Sequence, residues 1–233
     1  MKQFLSILIL IFPLWIFSEP FNTIDAEVAS LKMSGGKMDV EMINVEGNKW
    51  KIKSIIKAGG GIFSRTESAS FEINADSIKP LRWSRKERIL FSKKNYLVTF
   101  DWLNSVISFN EDGNKGKLDL LPNYLGPATG PLLLRLKLRK SGLDNLPEKI
   151  ELDVYFKGEI KHRNFSIKGL ETVNTSLGPF QAIKVVRVRS EADPREQEFW
   201  FAPDLDFALI KVINDDGQEK RELMISSYED IGS

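Results

Sequence analysis

The sequence contains no cysteine and a single histidine, His162. It therefore has no disulfide framework, no thiol nucleophile and no cysteine-ligated zinc or iron–sulfur site. One histidine also excludes a histidine-rich metal centre. A surplus of one charge is missing too. The 33 Lys and Arg against 32 Asp and Glu leave a formal net charge of +1, without the basic excess that nucleic-acid binders usually carry. There is no GxSxG elbow, and Gly59-Gly60-Gly61 is followed neither by a phosphate-loop GK[ST] nor by Rossmann spacing. What is present is the composition of an ordinary folded protein, 42% apolar and 28% charged.

The first residues carry a targeting pattern. Met1-Lys2-Gln3 is a short basic start, residues 4–17 (FLSILILIFPLWIF) are almost wholly apolar, and Ser18 precedes the polar Glu19-Pro20. This is the layout of a secretory signal peptide, and its apolar run falls short of the roughly 20 residues that span a bilayer as a helix. Cleavage is expected after Ser18, with an uncleaved anchor as the alternative. Ala26 lies too far from the apolar run to be the cut. No cysteine ends the run, which closes the bacterial lipoprotein route. The expected organisation is a signal peptide over residues 1–18 and a single β-rich domain over residues 19–233. The latter is exported to the periplasm, free to associate peripherally with the envelope, and has no further spanning segment. Lys2 is the one charged residue lost with the signal, so the mature chain would be neutral.

Beyond the N-terminus the dominant period is two, the signature of half-buried strands. Met38, Val40 and Met42 alternate with charged residues, as do Trp50, Ile52, Ser54 and Ile56. Ala69, Phe71 and Ile73 continue the pattern, and Tyr96, Val98, Phe100 and Trp102 share one face. Ile150, Leu152, Val154 and Phe156 share another, with Glu151, Asp153 and Tyr155 opposite. Turn signals at Gly35-Gly36, Glu46-Gly47-Asn48, Asp112-Gly113-Asn114 and Asn214-Asp215-Asp216-Gly217 read as antiparallel hairpins. Val185-Val186 interrupts the alternation of residues 183–189 and reads as a β-bulge. The glycines at 59–61 read as a flexible loop tip.

Residues 117–142 depart from the pattern. The Leu- and Arg-rich run from Leu132 predicts a helix with Leu132, Leu133 and Leu136 on one face, Thr129 as its cap and Gly142 as its stop. A strand with alternation over 134–139 is the competing reading. The expected fold is mainly β, with about ten antiparallel strands in a curved sheet that forms an open or half β-barrel, one helix packed on its concave face.

No catalytic set emerges. His162 sits between Lys161 and Arg163 rather than beside a carboxylate and reads as a solvated surface residue. Asp204 and Asp206 are paired carboxylates without the further oxygens of a calcium loop, and Asp–Pro sequences are ordinary turns. Asp101 reads as an outward-facing charge. The basic cluster Arg82, Arg85, Lys86, Arg88, Lys93 and Lys94, with Trp83 inside it, reads either as a contact for acidic lipid headgroups or as a charged hairpin edge that resists aggregation, the latter preferred.

The C-terminal third has a distinctive order. Ile167-Lys168-Gly169-Leu170 is followed by Gly178-Pro179-Phe180 and Ala182-Ile183-Lys184-Val185, then by Glu198-Phe199-Trp200-Phe201-Ala202-Pro203-Asp204 and a last hairpin. This resembles the bacterial exported family named domain of unknown function 3108, with its glycine-led strand ending in K-V and its aromatic W-x-A/S-x-D strand. The Leu/Arg helix matches as well, whereas Phe207-Ala208-Leu209-Ile210-Lys211 stands where the family more often has a proline. The resemblance implies a periplasmic protein without an established activity, and a curved sheet similar to the open barrels of lipoprotein carriers. It transfers no catalytic residue.

The function expected is non-enzymatic binding of an apolar ligand, a lipid or lipoprotein acyl chain, in the curved sheet. No cofactor or metal is expected. Candidate cavity residues are Trp50, Ile52, Phe71, Phe100, Trp102, Leu133, Leu136 and Trp200. The alternatives are an envelope interaction or assembly protein without a small ligand, whose partner would be another envelope protein, and a carboxylate hydrolase using Asp204 or Asp206.

Overall fold

A computed structural model describes residues 25–74, 77–190 and 192–231. The expected signal peptide and its cleavage site lie outside these residues. Among the described residues, fifteen strands form one continuous sheet. They are β1 (Glu27–Met33), β2 (Gly36–Glu46), β3 (Lys49–Ala58), β4 (Phe63–Asn74), β5 (Ser77–Ile89), β6 (Ser92–Asp101), β7 (Val106–Glu111), β8 (Asn114–Asp119), β9 (Tyr124–Leu125), β10 (Lys149–Phe156), β11 (Glu159–Thr175), β12 (Gly178–Val188), β13 (Glu196–Ala202), β14 (Ala208–Asp215) and β15 (Lys220–Asp230). The helix α1 spans Thr129–Ser141.

The strand order is a meander in two arms: β8 to β1 on one side, then β15 to β9 on the other. The first and last strands therefore pair in the middle, β1 against β15. Every pairing is antiparallel except the short parallel contact of β9 with β10. The expected curved, unclosed antiparallel sheet with one helix is what the chain forms, although with more than the ten strands anticipated. One strand beyond those anticipated is β9, only two residues long and so too short to show a two-residue period.

The sheet wraps around α1. Leu132, Leu133, Leu134, Leu136 and Leu138 are all buried, a distribution no single flat face could produce. Burying each leucine contributes about 2 kcal/mol. That outweighs the weak intrinsic stability of a short isolated helix. Thr129 does not cap the helix as expected. It is the first helical residue, and its hydroxyl bonds the backbone of Gly126 as both donor and acceptor. Gly142 does stop it, at φ +64, donating its N–H to the Leu138 and Arg139 carbonyls.

Strands β7 and β10, each next to an edge strand of the sheet, meet through side chains. Tyr155, at the end of β10, donates its hydroxyl to Glu111 Oε1 of β7 at 3.0 Å and accepts the Gly158 N–H. The Phe109 ring packs 5.9 Å from the Tyr155 ring. This corrects the expected facing of β10, because Tyr155 is buried and Phe156 is exposed. The alternation fails where the strand end must reach across the seam.

A second apolar cluster lies on the other face. Phe199 and Phe201 join the central core, whereas Trp200 and Ala202 pack with Val173, Ala182, Ile210 and Ile225. Successive residues of a strand face opposite ways, which puts this cluster on the outer surface. The long β11–β12 hairpin folds over it, its tip reaching β15 where Ser176 Oγ donates to the Ile225 carbonyl. The bulge that permits this curl is at Lys168 on β11, between the pairs Ile167–Val185 and Gly169–Lys184, not at Val185-Val186 on β12 as expected. The extra residue sits on the strand that must travel farther.

If the seam depends on the Tyr155 hydroxyl, Tyr155→Phe should lower unfolding free energy by about 1–2 kcal/mol in urea denaturation. An unchanged midpoint would mean that the ring alone joins β7 to β10.

Candidate functional site

The concave face is mostly filled. Trp50, Phe71, Phe100, Leu133 and Leu136 all belong to the central core and are packed rather than open. Trp102 sits at its margin, its indole N–H donating to the Pro80 carbonyl at 2.7 Å and its ring facing Lys79. Trp200 departs from expectation. On the outer face its ring lies between Lys184 and Lys211, at 5.0 and 4.9 Å, and its N–H bonds Glu171. The eight candidates are therefore not one site, and only Ile52 lines an opening.

That opening is an apolar cleft of about 240 Å³ between α1 and strands β1 to β4. Met38, Val40 and Met42 of β2, Ile52 of β3, Ala69 of β4 and Leu132 of α1 form its walls. The register explains why they converge. Val40 faces Ala29 of β1, Met42 faces Ile52, and Ile52 faces Ala69, so one side of four strands contributes. Small residues make the hollow: Ala29, Ala69, Ala128 and Ala208 stand around it where bulkier side chains fill the rest of the concave face. This is the signal that a search for large aromatics misses.

The polar boundary of the cleft is built on Arg135, which sits between Leu134 and Leu136 and is only 4% exposed. Its Nη1 reaches Glu27 Oε1 at 2.7 Å, its Nε donates to the Asp206 carbonyl at 2.9 Å, and its Nη2 reaches Asp206 Oδ2 at 3.2 Å. Burial opposes the charge, but the Glu27 and Asp206 carboxylates outweigh it and hold Arg135 protonated. Tyr228 donates to the other Glu27 oxygen, and burial together with that carboxylate raises the phenol. Arg139 Nε takes Asp206 Oδ1 at 2.6 Å. Asp206 thus has both oxygens engaged by guanidinium groups. It also stands at φ 50, next to Phe207 at φ 58, a left-handed pair held by the Arg135 contacts.

The remaining chemical candidates are accounted for locally. Asp101 faces outward and accepts the backbone and side-chain N–H of Asn104, closing an exposed turn. His162 does lie beside carboxylates, contrary to expectation: Nδ1 is 2.9 Å from Asp153 and Nε2 is 3.8 Å from Glu151. Cross-strand pairing on β10 and β11 brings them together. The bond to Asp153 raises the imidazole pKa. Strand β5 is internal to the sheet, so its basic residues are not an edge defence. Trp83 is buried, with Arg85 packed over both its ring and that of Tyr96. Among the described residues no group of three or more His, Asp or Glu could hold a metal ion, and no helix is long and apolar enough to cross a membrane.

Removing the Arg135 charge leaves Glu27 without a cation and Asp206 with Arg139 alone, so Arg135→Met should cost about 3–5 kcal/mol in denaturant unfolding. A loss below about 1 kcal/mol would place the cluster among ordinary surface pairs. The single histidine allows a second check by NMR. The His162 signals should titrate above the usual histidine midpoint, and Asp153→Asn should bring that midpoint down; an unmoved midpoint would remove Asp153 as the cause.

No curated protein matches the chain. Among solved structures, the chain is similar in fold to a β-barrel-like protein of domain of unknown function DUF1849 from Brucella abortus. The TM-score is 0.56 at 9% identity, over 88% of this chain and 97% of that one. A candidate lipoprotein from Parabacteroides distasonis aligns at 10% identity over 89% of this chain and 96% of that one, with a TM-score of 0.31. The family described as protein of unknown function (DUF3108) matches residues 23–224, nearly the whole length over which the sheet, the helix and the cleft are built. The chain belongs to the DUF3108 family.

Proposed function

We propose that this is a non-enzymatic protein of the bacterial cell envelope that holds one apolar chain in the cleft between α1 and strands β1 to β4. The observation that carries this reading is the alanine-bordered opening, mostly apolar on its walls with Ser54, Glu67 and Ser68 among them, in a concave face that is otherwise packed. Its volume of about 240 Å³ lies just under the roughly 300–1,000 Å³ usual for small-molecule sites. That size suits a single slender acyl chain rather than a multi-chain lipid. Arg135 at the boundary is saturated by its own carboxylates, so the selectivity of the cleft comes from shape and apolarity. The signal-like residues 1–18 support export.

A fluorescent fatty-acid probe tests the reading. It should bind and be displaced by an unlabelled fatty acid, and native mass spectrometry should find one lipid per chain. Val40→Phe, which fills a half-buried wall position, should weaken probe binding at least about tenfold while leaving the thermal midpoint nearly unchanged. Absence of any displaceable probe, or equal binding by the variant, would overturn it. In that event the packed remainder of the interior favours the second reading, an assembly protein without a small ligand, and crosslinking in cells should then capture a discrete envelope partner.

A further inference from the structure

The hairpin tips at one end of the sheet are unlike the rest of its surface. The β3–β4 and β5–β6 tips sit side by side, Phe63 pairing with Ile89 and the Leu90 N–H donating to the Ile62 carbonyl at 2.9 Å. The β1–β2 tip adjoins them through the Gly59 N–H to the Gly35 carbonyl. Four large apolar residues are exposed together here: Ile62, Ile89, Leu90 at 59% and Phe91 at 99%. At the opposite end Leu103 is exposed beside Asp101 and Asn104, and Leu121 is exposed near it, fewer large apolar side chains than adjoin here. A lone exposed leucine is ordinary, whereas a contiguous group at a protruding tip is not.

Two local penalties coincide at this tip. Leu90 opens a two-residue hairpin turn at φ 53, the left-handed region that favours glycine. Next to it Arg88 pairs directly across the ladder with Lys93, a like-charge match that weakens a sheet. Arg88, Lys93 and Lys94 have no ion-pair partner among the described residues, and Lys57 stands on the neighbouring hairpin. A turn built for stability alone would carry glycine or asparagine and opposite charges. Strain and like charges held together at an exposed position point to a function at that position.

We propose that this end of the sheet docks on an anionic lipid bilayer, with Leu90 and Phe91 entering the headgroup and acyl boundary and Arg88, Lys93 and Lys94 contacting the lipid phosphates. An apolar tip ringed by cations matches the layered chemistry of such a surface, apolar within and negative at the boundary. A protein partner of comparable affinity would need a wider face than these narrow tips present. The inference is independent of the cleft, although the hairpins that carry Met38, Val40 and Ile52 end at this same rim.

Sedimentation with vesicles tests it, using the protein as the cell processes it and vesicles of phosphatidylglycerol or of phosphatidylcholine. The protein should bind phosphatidylglycerol vesicles, release as salt is raised, and bind phosphatidylcholine weakly or not at all. Leu90→Gly with Phe91→Ser should reduce partitioning at least about tenfold, and its thermal midpoint should hold or rise because glycine takes the turn without strain. Lys93→Gln with Lys94→Gln, at exposed positions where misfolding is not at issue, should lower phosphatidylglycerol binding about tenfold as well. Both variants should keep wild-type uptake of the fatty-acid probe, which separates this surface from the cleft. No vesicle binding, equal binding to the two lipids, or undiminished binding by either variant would overturn the proposal.

Discussion

The buried guanidinium of Arg135 joins three parts of the chain that have no backbone contact with one another. It lies on α1, grips Glu27 on β1, and holds Asp206 in the turn between β13 and β14. A charge so deeply placed is tolerable only when its partners are fixed, and here the partners are drawn from opposite ends of the sequence. The helix consequently has one rotational setting inside the sheet. Leucines can pack in several rotations at similar energy, but a guanidinium with two carboxylates cannot.

That constraint explains why the interior is partly open. With α1 held by Arg135, the Leu132 side of the helix faces strands β1 to β4, where Ala29 and Ala69 do not reach across to it. On the far side Leu134 and Leu138 are fully buried and the core is closed. The same concave face thus holds a cleft beside α1 and a packed core around it. The seam through Tyr155, Glu111 and Phe109 joins β7 to β10 without a continuous backbone ladder, which leaves the curvature to be set by bulges such as Lys168.

The two unusual surfaces are related by chain economy. Strands β2 to β4 present the cleft on their concave side and run on to the tips that carry Lys57, Ile62 and, on the next hairpin, Phe91. The tips proposed to meet a bilayer thus belong to the hairpin next to those that wall the cleft.

Much of the fold was legible from period two alone. The hairpins at Gly35, Gly47, Gly113 and Gly217, the inward faces of β2 to β4, and the helix stop at Gly142 all follow from local rules, because alternation, turn chemistry and left-handed glycine depend on a few neighbouring residues. The absence of cysteine and the resemblance in the C-terminal third were equally legible, and the family match bears the latter out. The tertiary structure decided the rest. Trp200 and Phe201 are adjacent and both aromatic, yet they serve different cores, because whether an outer face is covered depends on how far a distant hairpin folds back. Arg135 reads as an ordinary helix cation until Glu27 and Asp206 arrive from remote positions. The cleft, finally, is made by alanines, and where small residues leave space depends on which side chains stand opposite, a property of pairing across the fold rather than of any residue in its own segment.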